Sequence, residues 1–194
     1  VVEHPNGCRV LQKFIESTSV ENIDTIYMRT FCNCTSLEFV LLPESLKKIR
    51  YQAFSYCSSL KNITIPQNVT SIEQFAFSYS SLEFFEFPEK IISIENHIFY
   101  HCESLFEVNF LGNVTNIGEY AFQYCNSLQK IAIPDSIETI ECCVFSNCIG
   151  LPSFVIPESV VNIPYRMFYK CTNLSSITFL GNVTTISSGA FYRC

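Results

Sequence analysis

The stretch "NVTNIGEYAFQYCNSLQKIAIP" at 113–134 decides the fold. Its apolar residues follow no single helical or strand period. They fall instead as V-x-x-I, then A-F-x-x-C, then L-x-x-I-x-I, closed by proline. Outward from this stretch the same order returns. Phenylalanine stands at 31, 54, 77, 99, 122, 145, 168 and 191, in steps of 23 residues with a single step of 22. Leucine follows at 37, 60, 82, 105, 128, 151 and 174, and isoleucine at 26, 49, 72, 94, 117, 140, 163 and 186. A fixed period of this length marks a solenoid. One 23-residue coil cannot enclose its own apolar side chains, whereas stacked coils bury them in a continuous ladder.

Within each coil, L-x-x-I-x-I alternates and predicts a short parallel strand, as in "KNITI" at 61–65. Proline at 43, 66, 88, 134 and 157 lacks the N–H to continue a ladder and is expected to end the strand. "FLGN" at 110–113 and 179–182 replaces that turn, with glycine supplying conformational freedom. V-x-x-I predicts a second extended piece. A-F-x-x-C predicts a tight 3₁₀-like turn on the opposite side.

The 22-residue step has a local cause. "AFSYCSSL" at 53–60 returns as "AFSYSSL" at 76–82, one residue shorter and without its cysteine. Leu82 and Phe99 resume the phase, so the deletion lies in a turn. A deletion inside "EFFEF" would move every inward side chain to the other face.

The unit I-P-x-x-V-x-x-I-x-x-x-A-F-x-x-C-x-S-L resembles the BspA-like, treponemal-type leucine-rich repeats over residues 20–194. The resemblance implies a right-handed, curved stack of coils with a parallel β-sheet on the concave face and short 3₁₀ or turn segments on the convex side. Residues 1–19 read as a degenerate or preceding partial repeat, because Leu11 and Phe14 fall where Cys and Leu would stand, and Cys8 where Phe would. The 20–194 solenoid then holds about 7–8 repeats. With no initiator methionine and an abrupt end at Cys194, the chain is expected to be a fragment of a longer protein. The resemblance also implies a cell-surface or secreted module that binds host or partner proteins or glycans. An intracellular repeat scaffold is the alternative.

Composition narrows the function. A formal net charge of −6 with interspersed signs gives no basic patch for nucleic acid. No apolar run approaches the ~18 residues of a membrane span. No phosphate loop, nucleophile–base pair or cofactor motif occurs, so the chain is expected to do no chemistry and to need no cofactor. Cys32/Cys34, Cys142/Cys143 and the His97, His101, Cys102 group lack the ordered spacing of a metal site.

Cys34, Cys57, Cys102, Cys125, Cys148, Cys171 and Cys194 stand in phase and are expected to be buried free thiols. Parallel Cβ vectors on adjacent coils, ~4.8 Å apart, suit a disulfide poorly. Asn33, Asn62, Asn68, Asn113, Asn173 and Asn182 head N-x-S/T sequons, but "NVT" belongs to the repeat and supplies three of them.

Two surfaces remain. Tyr56, Tyr79, His101 and Tyr124 form an aromatic column on the turns, expected to be a packing ladder with wet tips. On the strand face, Phe39, Leu41, Asn62, Thr64, Phe84, Glu86, Glu107, Asn109 and Lys130 point outward and are the expected partner-binding residues, an apolar end beside an acidic centre. Ala132, Ser153, Val155, Ser176 and Thr178 continue those columns.

Overall fold

The structure, a computed structural model, describes residues 23–194. The reading of residues 1–19 as a partial repeat lies outside them. The described chain is a parallel β-solenoid of about seven coils, without a helix.

Thirteen short strands, numbered in chain order, form two kinds of ladder. Five lie on the sheet face: β4 (Phe84–Phe87), β6 (Glu107–Phe110), β8 (Lys130–Ile131), β10 (Ser153–Ile156) and β12 (Ser176–Phe179). The other eight are two-residue lateral strands from the V-x-x-I pieces: β1 (Thr25–Ile26), β2 (Lys48–Ile49), β3 (Ser71–Ile72), β5 (Ser93–Ile94), β7 (Asn116–Ile117), β9 (Thr139–Ile140), β11 (Asn162–Ile163) and β13 (Thr185–Ile186). All pairing is parallel and in repeat register, Phe84 opposite Glu107 and Glu107 opposite Lys130.

The sheet face is less continuous than the alternation implies. β4, β6 and β8 form one sheet and β10 and β12 another. Residues 61–65, expected as a strand, join no ladder. They keep the side-chain alternation, with Ile63 and Ile65 buried and Asn62 and Thr64 exposed. The lateral ladder breaks between β3 and β5 and again between β9 and β11, the second time for a clear reason. In five other coils the residue after the isoleucine donates its N–H to the previous coil, as Glu141 does to Ile117 at 2.9 Å and Ser187 to Ile163 at 2.9 Å. Pro164 stands at that position in its coil and has no N–H to give Ile140.

The convex turns are hydrogen-bonded turns rather than regular 3₁₀ helix. Successive residues alternate between two kinds of bond. Gln52, Phe54 and Tyr56 donate to the carbonyls of Gln74, Ala76 and Ser78 in the next coil. Ala53, Ser55 and Cys57 donate back to Arg50, Gln52 and Phe54. This alternation requires a left-handed backbone two residues before and two residues after each ladder phenylalanine. Arg29 and Asn33, Gln52 and Tyr56, and Arg166 and Lys170 all adopt it, with φ between 52° and 61°. Non-glycine residues resist this region by roughly 1–2 kcal/mol each. Because cationic, amide, aromatic and thiol side chains all adopt it in coil after coil, it belongs to the fold and does not mark a site.

The ladder phenylalanines fill the wide end of each coil. Phe122 is fully buried, with Phe99 stacked at 5.6 Å and Phe145 at 5.5 Å between ring centroids. Phe85, Phe87 and Phe154 pack against the column from the sheet side.

Three details correct the sequence reading. Ser80 is buried on the cysteine rung, its N–H on Phe77 as that of Cys102 is on Phe99, with its Oγ 3.4 Å from Cys102 Sγ. The residue lost from the short coil is therefore one of the two between rung and leucine, and the cysteine is substituted. Gly112 and Gly181 are needed for space rather than for conformational freedom. A Cβ there would lie within 2.9 Å of backbone atoms of Glu89 and Glu158 in the preceding coil. Cys34, expected as a free thiol, is disulfide-bonded.

Candidate functional site

Outward side chains on the sheet face are set by strand alternation, and the structure places the expected residues there. Phe39 is 51% exposed, Leu41 65% and Phe84 38%. Asn62, Thr64 and Lys130 are exposed, while Glu86, Glu107 and Asn109 are half-buried. Among them the surface sinks into an open depression of about 510 Å³, lined by Asn62, Glu83, Phe84, Ser104, Phe106, Glu107 and Ser127.

Three of those lining residues, Asn62, Phe84 and Glu107, belong to the predicted columns. Four do not. Glu83 and Phe106 precede the outward strand positions of their coils, and Ser104 and Ser127 are the serines of the C-x-S-L motif. The signal that could have found them is Phe106 itself. It is a large apolar residue in a column otherwise held by Lys61, Glu83, Gln129, Pro152 and Ser175.

The charges around the depression are partly paired. Lys61 Nζ lies 3.1 Å from Glu83 Oε1. Lys130 Nζ lies 3.3 Å from Glu107 Oε2 and 5.3 Å from the Phe106 ring. Such exposed pairs contribute ~0–1 kcal/mol each and can be exchanged for a partner's groups at little cost. Glu86 has no ion pair among the described residues. The site thus offers two phenyl surfaces, a free carboxylate and several hydroxyl and amide groups.

The convex face carries the aromatic column, with His101 stacked between Tyr79 at 4.8 Å and Tyr124 at 4.1 Å. A second stack stands beside it. His97 lies between Phe75 at 4.4 Å and Tyr120 at 4.8 Å, and the Tyr100 ring meets both imidazoles edge-on. These rings are mostly half-buried and tightly stacked, as packing requires.

The ladder cysteines are more than small apolar fillers. Each thiol donates to the carbonyl of the ladder phenylalanine in the preceding coil. Cys57 reaches Phe31 at 3.1 Å, Cys125 reaches Phe99 at 3.3 Å and Cys171 reaches Phe145 at 3.0 Å. Burial pushes the thiols of Cys57, Cys102 and Cys171 up to about 12, and those of Cys125 and Cys148 well above the ordinary value. A thiol so held is neither a nucleophile nor a ready metal ligand. Among the described residues no group of three or more His, Cys, Asp or Glu could hold a metal ion.

All six sequon asparagines are exposed. In the three "NVT" copies the threonine hydroxyl donates to a carbonyl of the preceding coil, Thr70 to Lys47, Thr115 to Ile92 and Thr184 to Val161. The fold therefore accounts for those threonines without glycosylation.

Comparison with known proteins agrees with this architecture. The BspA type leucine-rich repeat region matches in six copies, over residues 6–128 and 92–194. A leucine-rich repeat protein from Bacteroides ovatus aligns with a TM-score of 0.75 and 27% identity over 90% of this chain, which spans 51% of that protein. The T. pallidum leucine-rich repeat protein aligns at 0.63 and 26% identity, covering 91% of this chain and 72% of its own. A leucine-rich cell surface protein from Faecalibacterium prausnitzii aligns at 0.52 and 25% identity, covering 93% of this chain and 73% of that one. No curated protein matches the sequence. With its 23-residue period, its phenylalanine and cysteine ladders and this family match, the chain belongs to the BspA-type leucine-rich repeat proteins.

Proposed function

We propose that this domain is a cell-surface or secreted interaction module that binds a protein or glycan partner through its sheet face. The observation that carries the reading is the depression at Asn62, Phe84, Phe106 and Glu107. Inward positions of the same strands are fixed by packing, while the outward columns change from coil to coil. Exposed phenyl groups beside a charged rim supply the anchor and surround that binding surfaces use. The surface location rests on the F. prausnitzii relative, described as a cell surface protein.

Binding of the purified domain to immobilised extracellular-matrix proteins and to a glycan array tests the proposal. Replacing Phe39 and Phe84 by serine, with the fold verified by circular dichroism, weakens the observed binding more than ~10-fold, as for loss of a hot spot of about 2 kcal/mol. Replacing Tyr56, Tyr79 and Tyr124 leaves it intact. The reverse outcome moves the site to the convex column.

A further inference from the structure

The charge of the chain is unevenly placed. Residues 159–194 contain Arg166, Lys170 and Arg193 and no acidic residue, whereas the other 158 residues carry nine more acids than bases. All three cations stand on the convex turns. Lys170 and Arg193 occupy equivalent positions in adjacent coils, and Arg166 precedes Lys170 by one turn segment. Their backbones share the left-handed conformation, at φ 52° for Arg166, 58° for Lys170 and 60° for Arg193.

Tyrosine rings hold these cations in place. The Arg166 guanidinium lies 4.9 Å from the Tyr165 ring centroid and 4.8 Å from that of Tyr169. Lys170 Nζ is 5.3 Å from Tyr169, and the Arg193 guanidinium 5.4 Å from Tyr192. Tyr169 and Tyr192 stack at 5.6 Å and tie the two coils into one surface. Gly189 leaves the space in which the Arg166 stem lies, since a Cβ there would meet its Cγ at 3.2 Å. No ion pair among the described residues engages any of the three.

We propose that this convex patch binds a sulfated polysaccharide chain, independently of the partner site on the sheet face. Three positioned and unneutralised cations suit sulfate groups, and Tyr165 and Tyr192, 43% and 53% exposed, leave aromatic surface for sugar rings. The carboxylates of the preceding coils favour a slender ligand. Duplex nucleic acid or an anionic membrane would extend over the neighbouring coils, where Glu95, Glu103, Glu119 and Glu141 repel it. A single polysaccharide chain can run along the Tyr169–Tyr192 stack and stay clear of those carboxylates.

The test uses heparin as the sulfated probe, immobilised for surface plasmon resonance at about 0.15 M salt, where surface charges are screened beyond ~8 Å. The wild type is retained. R166Q/K170Q/R193Q loses at least 10-fold in affinity. Gln52 already occupies the backbone position of Arg166 in another coil, so glutamine fits the turn. K47Q/K48Q/K90Q makes the same change in net charge at exposed positions outside both sites and stays within about 2-fold of wild type. The proposal is overturned if wild type does not bind heparin, or if both triple variants lose equally. It is also overturned if wild type binds a DNA duplex or phosphatidylserine vesicles as tightly as heparin.

Discussion

The convex turns and the sheet face hold the coils together unequally. On the turns, the N–H of each ladder phenylalanine from Phe31 to Phe168 reaches the next coil without a gap, ending at Ala190. On the sheet face, the strand ladder is absent at 61–65 and interrupted between β8 and β10. The region named for its strands is the looser one. The turns carry two left-handed residues per coil, a stacked phenyl column and a thiol bonded to the preceding coil. Cohesion concentrated on the turns leaves the sheet face free to vary, which is what a binding surface requires.

The largest effect should come from changing chain length on the two sides. Inserting one residue between Phe85 and Glu86 turns Phe87 outward and should abolish cooperative unfolding of the adjoining coils. Inserting cysteine between Tyr79 and Ser80 recreates the wording of 53–60 and should leave the thermal transition within a few degrees of wild type. A melt that reverses this order would show that the sheet face tolerates slippage and the turn does not.

Truncation of the column comes next. Phe122→Ala removes a fully buried ring with neighbours on both sides. It should cost roughly 3–5 kcal/mol by denaturant titration, as other buried phenylalanines do. Phe84→Ser on the sheet face should cost about 1 kcal/mol, because the ring lies outside the buried core and is 38% exposed. Equal costs would remove the distinction between the two regions.

Between these values lies the cysteine rung. Cys125→Ala deletes a buried thiol and its bond to the Phe99 carbonyl, and should cost about 1–2 kcal/mol. Cys57, Cys102, Cys125, Cys148 and Cys171 should react with a thiol reagent only after denaturation, since burial keeps them protonated. Rapid labelling of the native protein at these positions would mean that the turns open far more readily than their bonding implies.

What could be read in the sequence follows the same division. Phenylalanine, leucine and isoleucine recur because the interior is the same in every coil, so the period, the strand faces and the burial of Phe122 were legible. The thiol bond was not, because it depends on how far one coil is offset from the next. Nor was the role of Gly112, which answers to the Glu89 backbone 23 residues away. At the sheet face, alternation located Phe84 and Glu107. Glu83, Phe106, Ser104 and Ser127 escaped it because they approach the depression from positions flanking the strands. The cations of the last coils escaped because the charge of the whole chain is negative, and only the stacking of coils brings Lys170 beside Arg193.

The smallest expected effect concerns the second aromatic stack on the turns. The His97 Nδ1 atom is buried without a hydrogen-bond partner, and the ring is enclosed by Phe75, Tyr120 and the edge of Tyr100. Burial lowers the affinity of His97 for a proton below its ordinary value of 6.5, with Glu119 opposing the shift. The unfolded chain therefore takes up the proton first as pH falls. The stability contributed by the neutral ring is complete above 6.5 and is lost as pH falls through the lowered folded-state value. His97→Phe should remove this dependence without disturbing the turn, because Phe75 holds the same backbone conformation one coil earlier, at φ 58° against 57°. Between pH 7.5 and pH 5, wild type should lose about 1–2 °C more of its melting temperature than the variant, a modest difference because the ring is partly exposed. His101, 3.3 Å from Glu103, is common to both proteins and cancels from the comparison. Parallel curves for the two proteins would mean that the turn accommodates a charged imidazole as readily as a neutral one, and that this part of the convex face is less tightly closed than its stacking indicates.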